Sequence, residues 1–126
     1  MTLNGSIFAG ADVGASRTKV ALLDAEKNLV GFSVKKSGTD FTRTADEGLE
    51  EAMAMAGISS ENIIRTVSTG YGRKNVSFSN DAKTEIGCHA KGAFHYFPKA
   101  MTIIDIGGQD NKVIKLMIKG EEQILK

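Results

Sequence analysis

Asp12-Val-Gly-Ala-Ser-Arg-Thr-Lys-Val-Ala-Leu-Leu23 recurs in outline as Asp105-Ile-Gly-Gly-Gln-Asp-Asn-Lys-Val-Ile-Lys-Leu116. The shared pattern, D-[VI]-G-x4-K-V-x2-L, aligns Asp12, Val13, Gly14, Lys19, Val20 and Leu23 without gaps onto Asp105, Ile106, Gly107, Lys112, Val113 and Leu116. A register this regular marks an internal repeat. In each copy an apolar run leads into the aspartate (Ile7, Phe8 and Ala9; Ile103 and Ile104), a glycine-bearing turn follows, and a second β-prone run closes the unit. That is how a hairpin reads. Two such hairpins predict a duplicated fold.

Working outward from the first copy, Val30 to Val34 is short and β-prone and completes a three-stranded meander. Asp40 or Thr44 is placed to cap a helix over Ala45 to Ala56, whose apolar stripe is Leu49, Ala52, Met53 and Ala56. Gly57 follows as a left-handed C-terminal residue would. Asp46, Glu47, Glu50 and Glu51 read as the solvated face of that helix. Ile63 to Val67 reads as a further strand, running into the glycine-rich turn Ser68-Thr-Gly-Tyr-Gly-Arg73. A second helix is expected over Asp81 to Phe97, with Ile86, Ala90, Ala93, Phe94 and Phe97 as its buried stripe and Pro98 ending it. The order is strands, helix, strand, helix, strands.

Composition narrows the class. With 126 residues, 41% of them apolar, the chain suffices for one globular core. A formal charge of +1 gives no electrostatic reason to expect nucleic acid as a partner. No stretch approaches the roughly 20 apolar residues of a spanning helix, and Met1 to Phe8 does not have the form of a secretory leader, so no membrane is expected and the cytoplasm is. The single cysteine, Cys88, forms no intrachain disulfide, which fits a reducing compartment.

A nucleotide's phosphate chain needs close backbone approach, hydroxyl or amide donors, a cation, and a carboxylate that holds magnesium, usually through water. The first hairpin offers Gly14 for approach, Ser16 and Thr18 as donors, Lys19 as the cation and Asp12 for the metal. The second offers Gly107 and Gly108 in the turn, Asp105 for the metal and Gln109 to orient an attacking water. One D-x-G bend between strands is more often a plain tight turn. Two in matching register reverse that preference. The commoner loops are missing: no G-x-x-x-x-G-K-[ST] occurs, and Gly70-x-Gly72 fails as a dinucleotide fingerprint because position 75 is Asn.

On an ideal helix Cys88 lies roughly opposite the apolar stripe, sharing an outward face with Gly92 and His95. Such a thiol serves a ligand or close partner, or is incidental; geometry alone divides these evenly. A [4Fe–4S] cluster takes four thiolates, so one cysteine serves only by sharing it. His89 and His95 read as ordinary helix residues.

Three segments, Gly10-Ala-Asp-Val-Gly-Ala-Ser-Arg-Thr-Lys19, Ser68-Thr-Gly-Tyr-Gly-Arg73, and Glu85-Ile-Gly-Cys-His-Ala-Lys-Gly92 followed by Thr102-Ile-Ile-Asp-Ile-Gly-Gly-Gln-Asp110, carry a resemblance that runs from about Ile7 to the end. The chain resembles the activator ATPases of 2-hydroxyacyl-CoA dehydratases and the ATPase subunits of benzoyl-CoA reductases. The resemblance implies an α/β, actin-like fold: a ribonuclease-H-like lobe of mixed β-sheet with flanking helices over residues 1–100, and the opening hairpin of a second lobe over 101–126. It implies ATP or ADP with Mg2+ in a cleft gripped by both bends, with Asp105 and Gln109 as the catalytic pair and Asp12, Gly14, Ser16, Thr18, Lys19, Gly107 and Gly108 around the phosphates. It also implies that Cys88 is a ligand of a [4Fe–4S] cluster shared with a second like subunit. Reduced ferredoxin or flavodoxin then acts as donor and a CoA-ester dehydratase or reductase as acceptor of an electron driven by ATP hydrolysis.

Ala15 and Asn111 depart from the family pattern, and the family's second cluster cysteine and adenosine-binding glycines fall beyond Lys126. The expectation is therefore the N-terminal portion of such an activator, without ATP turnover by itself. Two other functions compete with it: a non-catalytic half-ATPase serving as an interaction module, and part of an actin-like small-molecule kinase, against which the segment around Cys88 speaks.

Overall fold

The computed structural model describes residues 5–107, 111–119 and 122–125, with side chains over 5–107 and 111–117. Within these, the chain forms two compact units that part between Lys83 and Thr84.

The first unit is built on a meander. Strands β1 (Ile7–Val13), β2 (Arg17–Leu23) and β3 (Leu29–Lys36) pair antiparallel in sequence. After helix α1 (Phe41–Ala56), strand β4 (Ile63–Thr69) returns parallel to β1, and the two-residue β5 (Asp81–Ala82) adds parallel to β4. The resulting five-stranded sheet has the order β3-β2-β1-β4-β5, which makes it mixed. A parallel return needs a crossover, and α1 supplies it.

Side-chain alternation decides which face is covered. Ile7, Ala9, Ala11 and Val13 of β1 and Val20 and Leu22 of β2 alternate inward and pack with Ala45, Leu49, Ala52 and Ala56 of α1. The helix starts four residues earlier than its composition suggests, because Asp40 is its N-cap and accepts from the Arg43 amide. It ends as expected, with Gly57 at φ 69°.

The second unit holds α2 (Glu85–Tyr96), β6 (Met101–Ile106), β7 (Asn111–Lys119) and β8 (Glu122–Leu125), the strands forming an antiparallel sheet in chain order. The expected helix over Asp81 to Phe97 is shorter than composition implied. Asp81 and Ala82 are drawn into strand pairing with Val67 and Ser68, and Thr84 caps the helix through the Gly87 amide. Its buried stripe is also narrower. Ala90 is fully buried and Phe94 packs beside it against Ile114, Leu116, Met101 and Ile103, whereas Ile86 and Phe97 are exposed. No helix among the described residues is long and apolar enough to cross a membrane.

Candidate functional site

Each aspartate of the repeat stands opposite the lysine seven residues further along the chain. Asp12 faces Lys19 across β1 and β2, and Asp105 faces Lys112 across β6 and β7. In each copy the residue after the aspartate pairs with the residue before the lysine, Val13 with Thr18 and Ile106 with Asn111. The internal repeat is therefore a repeat of structure as well as of letters.

In the first unit the bend is held closed from within. The Gly14 amide donates to the Arg17 carbonyl at 2.9 Å, and a Cβ at Gly14 would lie 2.8 Å from that same oxygen. Only glycine fits there. Ser37, which directly follows β3, does the rest: its amide donates to the Ser16 carbonyl, its Oγ donates to the Gly14 carbonyl at 2.6 Å, and it accepts from Thr18 Oγ1 at 2.8 Å. Thr18 was expected among the phosphate donors, but its hydroxyl is committed inward. It alternates onto the helix-covered face with Val20 and Leu22 and is 1% exposed. Ser16 and Lys19, by contrast, are exposed. Sequence reasoning missed Ser37 because nothing local to it signals the bend 23 residues earlier.

Asp12 lies on the other face of the sheet, half-buried, with its Oδ2 3.6 Å from Lys19 Nζ. Its parallel neighbour on β4 is Thr69, so the two side chains leave the sheet on the same side. Thr69 Oγ1 is buried and has no hydrogen-bond partner among the described residues. An orphaned buried hydroxyl costs roughly 1–3 kcal/mol, and a bound group would relieve that cost. Immediately after it the chain turns at Gly70, φ +95°, where a Cβ would meet Val13 O at 2.6 Å and Asp12 Oδ1 at 2.7 Å. The Gly72 amide then donates to Val13 O at 2.8 Å, and Arg73 Nη1 donates back to Gly70 O at 3.0 Å. The Ser-Thr-Gly-Tyr-Gly-Arg turn thus wraps the end of β1. Carboxylate, ammonium, unpartnered hydroxyl and glycine-lined backbone meet at the carboxyl ends of two parallel strands, where open α/β sheets place ligands.

In the second unit Asp105 is half-buried and its Oδ2 lies 3.0 Å from Nδ1 of His89 on α2. Glu85, one turn earlier on the same helix, accepts from Lys112 Nζ at 2.6 Å. His89 is therefore not the ordinary helix residue the sequence suggested, since it touches the candidate catalytic carboxylate. Gly107 is exposed at the end of β6. Gly108 and Gln109 lie outside the described residues. Cys88 is half-buried, with Gly92 and His95 exposed further along α2. Among the described residues no group of three or more His, Cys, Asp or Glu is arranged to hold a metal. A magnesium ion here would be held largely by phosphate and water, as a single carboxylate near a phosphate chain permits.

Residues 9–125 match the BadF/BadG/BcrA/BcrD ATPase family. The activator of lactoyl-CoA dehydratase from Anaerotignum propionicum is 43% identical over 111 residues, covering 88% of this chain and 42% of that protein. Among solved structures, component A of the (R)-2-hydroxyglutaryl-CoA dehydratase of Acidaminococcus fermentans superposes with a TM-score of 0.83 at 31% identity, over 97% of this chain and 48% of the other. The activator of the 2-hydroxyisocaproyl-CoA dehydratase from Clostridium difficile, solved with bound ADPNP, gives 0.81 at 34% identity, over 95% and 45%. The chain thus spans less than half the length of these relatives. Its α/β fold with a mixed sheet is that of the actin-like ATPase activators.

Proposed function

Because the chain belongs to the BadF/BadG/BcrA/BcrD ATPase family, we propose that it supplies the phosphate-binding and cluster-cysteine part of an activator that spends ATP to drive low-potential electrons to a CoA-ester dehydratase or reductase. The observation that carries it is the Asp12 corner, where Thr69 Oγ1 is buried without a partner among the described residues, beside a carboxylate and a lysine that hold one another only at 3.6 Å. A stability-driven site would close that pair and satisfy that hydroxyl. A phosphate with its magnesium would use all three: Lys19 and Thr69 would hold phosphate oxygen and Asp12 would hold the metal. A solved relative with bound ADPNP supports nucleotide as the ligand class.

In this assignment Asp12, Gly14, Ser16 and Lys19 attend the phosphates from the first bend, and Thr18 with Ser37 keeps that bend in shape. At the second bend the corresponding candidates are Asp105, Gly107, Gly108 and Gln109, where Asp105 would serve magnesium and Gln109 would orient the attacking water. The magnesium ion supplies charge neutralisation on the phosphates when bound. Cys88, as one thiolate, fits as a single contributor to a [4Fe–4S] cluster completed by other cysteines, including those of a second like subunit. That cluster supplies one-electron chemistry. Reduced ferredoxin or flavodoxin is the proposed donor, and the cytoplasm the proposed location.

The native polypeptide, purified anaerobically, tests the assignment. It is expected to be brown, to lose the colour in Cys88→Ala, and to bind Mg·ADPNP more weakly in Asp12→Asn. Colour retained in Cys88→Ala would sink the cluster ligand. Unchanged ADPNP affinity in Asp12→Asn would sink the phosphate site.

A further inference from the structure

We propose that His89 and Glu85 are positioning residues that fasten the helix carrying Cys88 to the aspartate–lysine pair of the second bend. The purpose of this link rests on the function proposed above; the link itself does not.

Glu85 and His89 are four residues apart on α2 and so share a face. Each holds one member of a directly opposed cross-strand pair: His89 Nδ1 reaches Asp105 Oδ2 at 3.0 Å and Glu85 Oε2 reaches Lys112 Nζ at 2.6 Å. Cys88 sits between the two in sequence. The four polar side chains are 21–30% exposed, so water screens them only in part. A separate apolar row, Ala90 and Phe94 against Ile114 and Leu116, also holds α2 to the same sheet. The helix would therefore stay docked without the polar contacts. Their specific effect is on where along the sheet it sits.

The first copy of the repeat shows that the pair does not require this arrangement. There Asp12 and Lys19 answer each other, and no helical side chain joins them among the described residues. In the second copy the equivalent aspartate is engaged by the residue next to the chain's only cysteine. Asp105 therefore lies one hydrogen bond from the residue beside Cys88.

Because Cys88 is unique in the sequence, its rate of alkylation by iodoacetamide reads the helix directly. His89→Ala and Asp105→Ala are each expected to change that rate by about two- to ten-fold, and the double variant by no more than the larger single change, as for a coupled pair. His89→Asn, which keeps a side-chain N–H near the Nδ1 position, is expected to restore the wild-type rate. Ala90→Gly is the control for simple loosening of the helix, with Tm measured for every variant. Additive effects, a His89→Asn rate equal to that of His89→Ala, or rates that merely track Tm through Ala90→Gly would overturn the proposal. A non-additive cycle in a protein that binds no nucleotide would leave the link standing and sink the functional reading; an additive cycle in one that does bind it would do the reverse.

Discussion

Asp12 and Thr69 are direct neighbours on parallel strands, and one of them carries a carboxylate beside a lysine while the other carries a buried hydroxyl that bonds to nothing described. Folding alone does not explain their juxtaposition, because a buried hydroxyl without a partner lowers stability. On the helix-covered face, by contrast, the polar groups around the first bend are satisfied: Thr18 Oγ1 donates to Ser37 Oγ, which donates to the Gly14 carbonyl, and the Ser37 amide donates to the Ser16 carbonyl. The satisfied hydroxyls and the unpartnered one thus lie on opposite faces of one sheet, with Thr69 on the face that carries Asp12.

The same substitution at two threonines therefore has opposite results. Thr18→Val removes a buried donor to Ser37 and is expected to cost about 1 kcal/mol, whereas Thr69→Val removes a hydroxyl with no partner and is expected to be neutral or stabilising. Urea denaturation of both variants checks the contrast. In the native polypeptide Thr69→Val is further expected to weaken Mg·ADPNP binding while leaving the fold as stable as before.

Ser37→Ala is expected to be worse than Thr18→Val. It leaves the Thr18 hydroxyl and the Gly14 carbonyl both without their partner, so a loss of about 1–3 kcal/mol is expected, read from the same urea transitions.

Gly70→Ala places a Cβ within 2.7 Å of Asp12 Oδ1 and Val13 O in a backbone at φ +95°. A cost of about 1–3 kcal/mol is expected from the conformation alone, with further loss from the contacts. The measurement is Tm by circular dichroism, and a Tm equal to wild type would show that the turn does not hold the end of β1.

Lys19→Met is expected to leave stability almost unchanged, by less than about 1 kcal/mol, because the Asp12 pair is long and partly exposed. Loss of ADPNP affinity in that variant would then be an effect on the ligand, measured by calorimetry beside the unfolding curve.

Asp81 gives the pH dependence. The hydrogen bond from Lys83, then its charge, with help from the Ala82 amide and Arg65, holds this carboxyl below the usual carboxylate range. A depressed folded-state value means that the stabilisation is present above the unfolded value, about 3.9, and is lost as pH falls through the folded one. The difference in urea midpoint between wild type and Asp81→Asn is expected to be constant from neutral pH to about 5 and to shrink below about 4. A difference that grows with acid would contradict the ion pair.

Legibility followed the range of the interaction. The two hairpins and the Gly57 stop were readable because each is fixed by residues a few positions apart. The boundary of α2 was misread because Asp81 and Ala82 have acceptable helical character, and only the presence of β4 beside them makes strand pairing the better use of their backbone. His89 was passed over for a similar reason: one face of a helix cannot be told from another by periodicity when the sheet it meets lies 16 residues further on.

By itself, the sequence determined the repeated aspartate–glycine bends, the alternation that sends Ile7, Ala9 and Val20 inward, the family, and the candidate residues Asp12, Gly14, Lys19, Cys88 and Asp105. Tertiary structure alone decided that Thr18 serves the bend through Ser37, that Thr69 stands beside Asp12 without a partner among the described residues, and that His89 grips Asp105. The physical reason is that backbone propensity and burial pattern act locally along the chain, whereas the partner of a polar side chain is chosen by what the fold brings within 3 Å of it.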